Sequence, residues 1–398
     1  MPTDAIPFGC MEALLERLDR DDIEGDALMS AARSHMKMLV ELTLETERTV
    51  QLSRARHARC GSSRRYRNGY YTRDLETGFG LVRQLRVPRV RGERLCQSLF
   101  DRYQRRRKEV DLFIRLLFFA GVSTRGVGEV LEILLGFSPS PSAVSSVVAA
   151  LDKEVKAYHA RVVGDLYTYL FLDGLTVTLK EGAGARKRLV LVAYAITCEG
   201  RRVLLDYRLA ERESQAEWDR LLRSLVERGL HGANLRMVIT DGGQGLRAAV
   251  RDAFPEVPNQ LCWAHKLRNV AGYLHKDNQE ACLAEARRIY LAPTRRDAIA
   301  AFRAWRDKWV DAEPNAVRCL ERDIENLLHF LLCPQVHRKA VRTTNYIERL
   351  IRELRRRTRP MGAFADRTSC DRLLYGVVKR LDDRWSRRTP LPEFTHKA

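Results

Sequence analysis

The chain has 398 residues, enough for two or three domains, with 45% hydrophobic and 30% charged residues in an ordinary globular balance. The charge is unusual, because 70 Lys and Arg oppose 51 Asp and Glu. The formal net charge of +19 indicates a polyanionic partner, most often nucleic acid. The most apolar run, residues 112–122, is short and contains Arg115, which excludes a membrane span. No signal peptide is visible, and nine scattered cysteines exclude a disulfide framework and favour a reducing compartment.

Helices are predicted over the first 55 residues. Leu14, Leu15 and Leu18 keep helical spacing, and a second apolar series begins at Met36. Two interpretations of this segment remain open: a pair of packing or dimerisation helices, or a plain N-terminal core helix.

Positive charge is concentrated in residues 54–108, which hold 17 Arg and Lys against four acidic residues, a net charge of +13. Asn68-Gly69 indicates a turn, and residues 81–90 are typical of a strand that ends near Pro88. We interpret this region as a small β module that binds DNA phosphates. Contacts with phosphates give affinity and salt dependence but little sequence specificity. The candidate DNA-binding residues here are Arg64, Arg65, Arg67, Arg105, Arg106 and Arg107.

Three helical segments follow the basic region. Residues 110–120 are apolar at helical spacing, Ser123-Thr124 can cap a second helix that Gly136 ends, and Ser140-Pro141 begins a third helix over residues 142–159. A helix, a short turn and a further capped helix fit a helix-turn-helix. The third helix would then read DNA through the serines near its start, Ser142, Ser145 and Ser146. Simple packing of a helix pair is the alternative.

A long strand is predicted over residues 167–179, which are rich in β-branched and aromatic side chains. Asp173 shares a face with Phe171 and Leu175, in an otherwise apolar row. A buried carboxylate must meet a cation, hydrogen-bond donors or a metal, or else be protonated. The alternatives are an aspartate on an edge strand, or an Asp173-Gly174 turn that splits the run into a hairpin.

The later elements follow a recognisable order. Strands at 188–197 and 202–209 complete an antiparallel meander, and helix, strand, helix and strand follow up to residue 263. This is the order of a ribonuclease H-like core, in which one carboxylate lies within the first strand and a second at the end of the fourth. Asp173 and Asp241 occupy those places. Residues 277–338 are helical and are interpreted as an insertion, and the tail from about Trp385 is expected to be disordered.

A third carboxylate is predicted on a helix after residue 344. Glu348 lies near one face of this helix together with Arg352, Arg355 and Arg359. With Arg356, these arginines form a candidate surface for holding DNA. The alternative is a capping box of Asn345 and Glu348 beside solvated arginines. Three carboxylates on separate elements suit Mg²⁺ or Mn²⁺. Two such ions, about 3.5–4 Å apart, can activate a nucleophilic oxygen and stabilise the leaving oxygen at phosphorus.

Five stretches resemble the mutator-type transposases of bacterial insertion sequences, and the last two are the most specific: 172–174, 227–230, 239–242, 260–270 and 342–350. The resemblance covers nearly the whole chain and implies a DDE transposase with a helical insertion. It makes Asp173, Asp241 and Glu348 the catalytic and metal-binding triad for two Mg²⁺ ions, which Mn²⁺ can replace. It also implies a circular DNA intermediate, with terminal inverted repeats and target DNA as partners. The protein is expected to form a homo-dimer or higher oligomer in the bacterial cytoplasm, associated with the nucleoid.

The same family carries a Cys-x-x-His after the fourth strand, which Cys262 and His265 match. The pair lacks two ligands for structural zinc, so we expect it to pack beside the metals, with a zinc site as the alternative. Trp218 and Trp263 are interpreted as packing residues, with contact to a displaced base as the alternative. The chain differs from the family pattern at two places. Residues 338–342 stand where a Trp is expected, and Ile351 replaces an Asn. Both differences concern DNA contacts rather than the triad.

The predicted fold class is therefore α/β: a ribonuclease H-like core with an all-helical insertion, after a mostly helical DNA-binding region that contains a helix-turn-helix and a small β module. The predicted segments are 1–55, 56–108, 109–163, 164–276, 277–338, 339–384 and 385–398. The predicted function is Mg²⁺-dependent strand cleavage and 3′-hydroxyl strand transfer. Two rivals are a catalytically silent DNA-binding regulator and a structure-specific nuclease.

Overall fold

A computed structural model describes residues 25–53, 66–92, 98–99, 104–182 and 184–395. These residues form a mixed α/β protein with a two-stranded sheet, a five-stranded sheet and many helices. They divide into two units, residues 1–118 with 122–149 and residues 119–121 with 150–398. The predicted helix at Leu14 and the candidate DNA-binding residues Arg64 and Arg65 lie outside the described residues.

The first unit contains helix α1 (Gly25–Leu52) and a hairpin of β1 (Tyr66–Thr77) and β2 (Gly80–Arg91). One face of the hairpin packs on α1 through a buried apolar cluster of Val40, Leu44, Leu75, Val82, Leu85 and Val87. The apolar strand residues supply the hairpin half of this cluster, with a register shift between Val82 and Leu85, and helical spacing supplies the other half. The predicted β module is present.

The predicted turn at Asn68-Gly69 is wrong. These residues lie inside β1, where the register shifts between Arg67 and Tyr70 and Gly69 has a φ of +65°. The hairpin turns instead at residues 78–79, and β2 continues past Pro88 to Arg91. An Asn-Gly pair favours positive φ, which a β-bulge uses as readily as a turn does, so the local signal was ambiguous.

Three helices complete the first unit: α2 (Lys108–Phe119), α3 (Thr124–Leu135) and α4 (Pro141–Ala149). The predicted boundaries of α3 are confirmed, because Ser123 Oγ accepts a hydrogen bond from the Gly126 N–H and Gly136 ends the helix at a φ of +69°. The predicted third helix is too long. Helix α4 ends at Ala149, and a separate helix α5 (Asp152–Ala160) begins in the second unit. No Gly or Pro marks this break, so the sequence pattern hid it.

The second unit is built on a five-stranded sheet of order β5-β4-β3-β6-β7. Its strands are β3 (Tyr167–Glu181), β4 (Gly184–Thr197), β5 (Arg202–Ala210), β6 (Met237–Thr240) and β7 (Asn259–Leu261). β3, β4 and β5 pair antiparallel, whereas β6 runs parallel to both β3 and β7. The predicted order of elements is confirmed. β3 is central and unbroken, so the edge-strand and hairpin alternatives for Asp173 are wrong.

Helices cover both faces of this sheet. One face packs on α6 (Gln215–Glu227) and α7 (Gln244–Ala253), where Leu170, Leu172, Trp218 and Leu246 share one buried cluster. Helix α8 (Trp263–Ala271) follows β7. The opposite face of β3 contacts α14 (Asn345–Thr358), which follows the helical insertion.

The insertion is all-helical, as predicted. It contains α9 (Lys276–Leu291), α10 (Arg295–Trp309), α11 (Pro314–Glu321), α12 (Ile324–Leu327), a 3₁₀ turn (His329–Leu332) and α13 (Gln335–Val341). Among the described helices, none is both long and apolar enough to cross a lipid bilayer.

The predicted disorder of the tail is wrong for residues 385–395. Helix α15 (Arg367–Ser386) carries Trp385 against the ring of Tyr194, and α16 (Pro392–Thr395) follows. The side chain of Phe394 is buried, with its ring 5.3 Å from that of Tyr169 and 4.8 Å from that of His337. The buried side chains of Leu391 and Phe394, with a hydrogen bond of 3.0 Å from the Leu391 N–H to the Gly200 carbonyl, attach this segment to the second unit.

Candidate active site

Asp173 lies in the middle of the central strand β3, on the face that also carries Tyr169 and Phe171. Its Oδ1 accepts a hydrogen bond of 2.7 Å from the Gly174 N–H. Burial, together with the carboxylates of Asp241 and Glu348, raises the pKa of Asp173 to about 6, and the Gly174 N–H and His265 oppose this rise. A carboxyl group in this position gains from any cation that neutralises it.

Asp241 immediately follows β6, whose four residues are all buried. Because Phe171 and Ile239 are partners in the parallel β3–β6 pair, the side chains two residues further along, Asp173 and Asp241, lie at the same level of the sheet. Asp241 Oδ1 accepts a hydrogen bond of 3.1 Å from the Gly243 N–H. The intervening Gly242 has a φ of +98°, a conformation that favours glycine.

Glu348 enters the same region from the first turn of α14. Ile347, Leu350 and Ile351 bury the apolar side of the helix, which leaves Glu348 partly exposed. Its Oε1 lies 3.3 Å from the hydroxyl of Thr344 and 3.9 Å from Nε2 of His265. The structure therefore brings all three predicted carboxylates to one region of the second unit.

The negative charge of these carboxylates is largely uncompensated. Within the described part of the chain, no Lys or Arg forms an ion pair with Asp173, Asp241 or Glu348, and His265 is the nearest basic side chain. Three oxygen-donor side chains without a basic partner fit hard divalent cations such as Mg²⁺. Among the described residues, no three Asp, Glu, His or Cys side chains are grouped closely enough to bind one ion. A cation placed between carboxylates would remove their mutual repulsion.

Cys262 and His265 meet the start of α14 at Thr344. Cys262 Sγ accepts hydrogen bonds of 3.3 Å from both the backbone N–H and the hydroxyl of Thr344. The same hydroxyl lies 3.3 Å from Nδ1 of His265. A backbone hydrogen bond of 3.1 Å from the Trp263 N–H to the Arg342 carbonyl ties the two segments together again. This network joins the Cys-x-x-His segment to the helix that carries Glu348.

The network shifts the pKa of both residues of the pair. Burial opposes ionisation of the Cys262 thiol, but hydrogen bonds with His265 and Thr344 outweigh it and lower the pKa. The hydrogen bond with Cys262 raises the pKa of His265 against the effect of burial. These hydrogen bonds describe how the pair packs beside Thr344, and the zinc alternative stays a prediction.

Both tryptophans singled out in the sequence are buried. The ring of Trp218 lies in the cluster between the sheet and α6, and the indole N–H of Trp263 donates a hydrogen bond of 2.7 Å to the Leu327 carbonyl. Neither ring faces solvent, where a displaced base could stack on it. Their positions match the packing interpretation.

The candidate DNA-binding arginines differ in their surroundings. On α14, Arg352, Arg355 and Arg359 are exposed and continue the face of Glu348, whereas Arg356 pairs with Glu353 at 2.9 Å. In the first unit Arg105 is exposed, and three other candidates pair with acidic neighbours: Arg67 with Glu45, Arg106 with Glu76 and Asp111, and Arg107 with Glu109. Ser142 and Ser145 are exposed on α4.

Asn345 is the first residue of α14 and is exposed. The N-cap is Thr344, without a side-chain capping bond, so the capping box of Asn345 and Glu348 is wrong. The Thr344 hydroxyl instead donates a hydrogen bond of 3.3 Å to Cys262 Sγ.

Two residues with a place near the site escaped the sequence interpretation. Thr344 stood inside a quoted motif, but nothing in its spacing indicated a contact with Cys262, 82 residues away. Glu213 precedes α6 and faces Asp241 across Gly243. A Cβ atom on Gly243 would lie 3.3 Å from Glu213 Oε1 and 3.6 Å from Asp241 Oδ1. No periodic signal marks a single acidic residue in a loop.

Comparison with known proteins decides the family. Residues 11–388 match the sequence profile described as "Transposase, Mutator family". The chain belongs to this family. It is 34% identical over 353 residues to the transposase for insertion sequence element ISRM5 of Rhizobium meliloti (strain 1021), covering 89% of this chain and 88% of the relative. The family resemblance inferred from the five motifs is confirmed.

Two further transposases are similar to this Mutator-family chain over nearly its full length. The transposase for insertion sequence element IS406 of Burkholderia multivorans (strain ATCC 17616 / 249) is 34% identical over 361 residues, which are 90% of this chain and 92% of the relative. The transposase for insertion sequence element IS256 in transposon Tn4001 of Staphylococcus aureus is 29% identical over 378 residues, 94% of each chain.

Proposed function

We propose that this Mutator-family protein is a DDE transposase that cuts DNA at the ends of an insertion sequence and joins the resulting 3′-hydroxyl to a new strand. One observation carries the proposal. Asp173 and Asp241 lie at the same level on neighbouring parallel strands, Glu348 faces them from α14, and no described Lys or Arg neutralises them. The order of strands and helices also supports a ribonuclease H-like core.

The chemistry follows from the carboxylates. Asp173, Asp241 and Glu348 would hold two Mg²⁺ ions, for which Mn²⁺ can substitute, and the bound ions supply activation of the attacking oxygen and stabilisation of the leaving oxygen. The chain fixes two of the three ligands on one sheet. The hydroxyl of Thr344 lies within hydrogen-bonding distance of the third and would help to orient it. His265 points a ring nitrogen at Glu348 and balances part of the negative charge.

DNA binding is assigned to the basic surfaces. Arg352, Arg355 and Arg359 extend from Glu348 along one exposed face of α14, a helix of 14 residues, and would contact the phosphates of the strand being cut. The basic hairpin and the pair α3–α4 would bind the terminal inverted repeats, with α4 as the recognition helix of a helix-turn-helix. We propose that a dimer or higher oligomer brings two such ends and target DNA together, in the bacterial cytoplasm at the nucleoid.

Three conservative variants test the proposal: Asp173→Asn, Asp241→Asn and Glu348→Gln. Each should bind element-end DNA with near-normal affinity and lose strand cleavage and strand joining in Mg²⁺ by at least about a hundredfold, because each removes a charged ligand. Near-normal activity in all three variants would sink the assignment. A wild-type protein that cleaves without joining would be a nuclease, and one that binds without cleaving would be a silent regulator.

A further inference from the structure

A pocket of about 360 Å³ opens between α13 and the first turn of α14. Six side chains line it: Val336, Lys339, Ala340, Asn345, Tyr346 and Arg349. All six belong to the second unit, and none of them is one of the three carboxylates. The sequence interpretation left this place without a role, except for the rejected capping function of Asn345.

The pocket is next to the carboxylates. Asn345, Tyr346 and Arg349 lie within four residues of Glu348 on the same helix. The Tyr346 ring lies 6.0 Å from the ring of Phe171, which precedes Asp173 by two residues on the same face of β3. Four residues of an α-helix rise about 6 Å. A DNA strand that contacts Glu348 would therefore have an adjacent nucleotide within reach of this pocket.

The lining has the chemistry of a nucleotide site. Lys339 and Arg349 are exposed, and neither forms an ion pair with a described carboxylate, so both are free to bind phosphate. The Asn345 amide offers both a donor and acceptors, which suit the edge of a base. The Tyr346 ring, partly exposed and also 6.3 Å from the ring of Phe394, lines the pocket, and Val336 and Ala340 add apolar surface.

The size of the pocket restricts what it can hold. Its volume lies at the lower end of the range for small-ligand sites, about 300–1,000 Å³. A DNA duplex does not fit, whereas one nucleotide with its base unpaired does. The walls are also well anchored. The buried side chain of His337 on α13 shares a hydrogen bond of 2.7 Å with the hydroxyl of Tyr169 on β3.

We propose that this pocket binds a single unpaired nucleotide of the DNA substrate beside the cleaved bond. The base packs against Tyr346 with its edge at Asn345, and Lys339 and Arg349 contact the phosphates. The inference rests on the proposed function in so far as DNA is the substrate. It adds a specific requirement: the protein should distinguish an end with unpaired nucleotides from a fully paired end.

The test measures how tightly the full chain binds three DNA duplexes of one sequence. One duplex is blunt, one carries two unpaired nucleotides at a 3′ end, and one carries two unpaired nucleotides at a 5′ end. Wild-type protein should bind one of the overhang duplexes about tenfold more tightly than the blunt duplex, as expected for one stacked base. Tyr346→Leu and the exposed-residue variants Asn345→Ala and Lys339→Ala should shrink this ratio towards one. Tyr346→Phe, which keeps the aromatic face, should retain it. Lys276→Ala, which removes an exposed lysine outside the pocket, should leave it unchanged.

A fluorescent base locates the contact directly. With 2-aminopurine in the overhang, wild-type protein and Tyr346→Phe should quench the fluorescence, and Tyr346→Leu should not. If the wild type binds blunt and overhang duplexes equally, or if no pocket variant alters the ratio, the pocket inference is overturned while the proposed function stands. A wild type that binds none of the duplexes overturns the proposed function itself.

Discussion

The hydroxyl oxygen of Thr344 lies 3.3 Å from Oε1 of Glu348, and the same oxygen lies 3.3 Å from Sγ of Cys262. Thr344 is completely buried, so its hydrogen bonds are not shared with bulk water. Through this one residue, the Cys-x-x-His segment that precedes the insertion contacts the glutamate that follows it. Thr344 is therefore a positioning residue for the third carboxylate.

Replacing Thr344 by Val keeps the shape of the side chain and removes the hydroxyl. We expect Thr344→Val to raise the Mg²⁺ concentration for half-maximal strand cleavage by about tenfold, because Glu348 loses its fixed orientation. The free energy of unfolding should fall by about 1–3 kcal/mol, since the buried Cys262 and the partly exposed His265 lose a hydrogen-bond partner. Metal titrations and urea unfolding measure the two effects.

Thr344→Ser restores the hydroxyl and is the matched control, so it should recover most of the Mg²⁺ affinity. If Thr344→Val and Thr344→Ser require the same Mg²⁺ concentration as each other, the hydroxyl does not orient Glu348 and its role is only structural.

Asp173 should reduce stability near neutral pH in the absence of metal. Its pKa is raised from 3.8 to about 6, so the folded chain binds this proton more tightly than the unfolded chain does. Stability is therefore lost as the pH rises through the window from about 4 to 6. Asp173→Asn should raise the free energy of unfolding by about 3 kcal/mol at pH 7 in EDTA and change it little near pH 4.

Asp382 provides a matched control for this measurement. Burial raises its pKa to about 6 as well, and it lies on α15, where its Oδ1 accepts a long hydrogen bond from the Leu204 N–H. Mg²⁺ should stabilise the wild type and Asp382→Asn against urea, but not Asp173→Asn. Equal stabilisation of all three proteins by Mg²⁺ would place the metal away from Asp173.

The row of exposed arginines on α14 should contribute electrostatic affinity for DNA. Arg352→Ala or Arg355→Ala should weaken binding to any sequence and reduce the slope of log affinity against log salt by about one, the value for one phosphate contact. Arg356 is the comparison residue on the same helix, because Glu353 neutralises it at 2.9 Å. Arg356→Ala should change the slope less than the other two substitutions. Binding isotherms at four or more salt concentrations give these slopes.

The sequence predicted elements with strong local patterns. A run of β-branched and aromatic residues placed Asp173 on a strand, and Ser123 with Gly136 marked both ends of a helix that the structure reproduces. The order of strands predicted that Asp173 and Asp241 share a sheet. Their alignment depends on the register of Phe171 with Ile239, and no local pattern encodes a register between strands about 70 residues apart.

Features that depend on tertiary contacts were missed or wrong. Asn68-Gly69 was interpreted as a turn because this pair favours positive φ. A bulge uses positive φ equally well, and only the pairing with β2 decides between the two structures. Phe394 looked like part of a polar tail, although Tyr169 and His337 provide an apolar site for its ring. The Thr344 network requires α8 and α14 to meet, which the fold alone determines.

The ion pair of Lys266 and Asp323 gives a final prediction, for the joint between α8 and the insertion. Both side chains are buried. Burial favours a higher pKa for Asp323, but the positive charges of Lys266 and Arg247 outweigh this effect and hold its pKa below the usual value. Breaking such a pair leaves an uncompensated buried charge, so Lys266→Met should lower the free energy of unfolding by about 3–5 kcal/mol.

The double variant Lys266→Met with Asp323→Leu should be less destabilised than the sum of its single variants, because it leaves neither charge unpaired. Arg247, 2.8 Å from Asp323 Oδ1, would then lose its own partner, which limits the recovery. The depressed pKa of Asp323 adds a dependence on pH. Its contribution to wild-type stability is present above the unfolded pKa and is lost as the pH falls through the lower folded value, whereas variants without Asp323 lack this loss. Urea unfolding of the four proteins at pH 7 and below pH 4 measures both effects, and strict additivity at pH 7 would show that the two side chains do not interact.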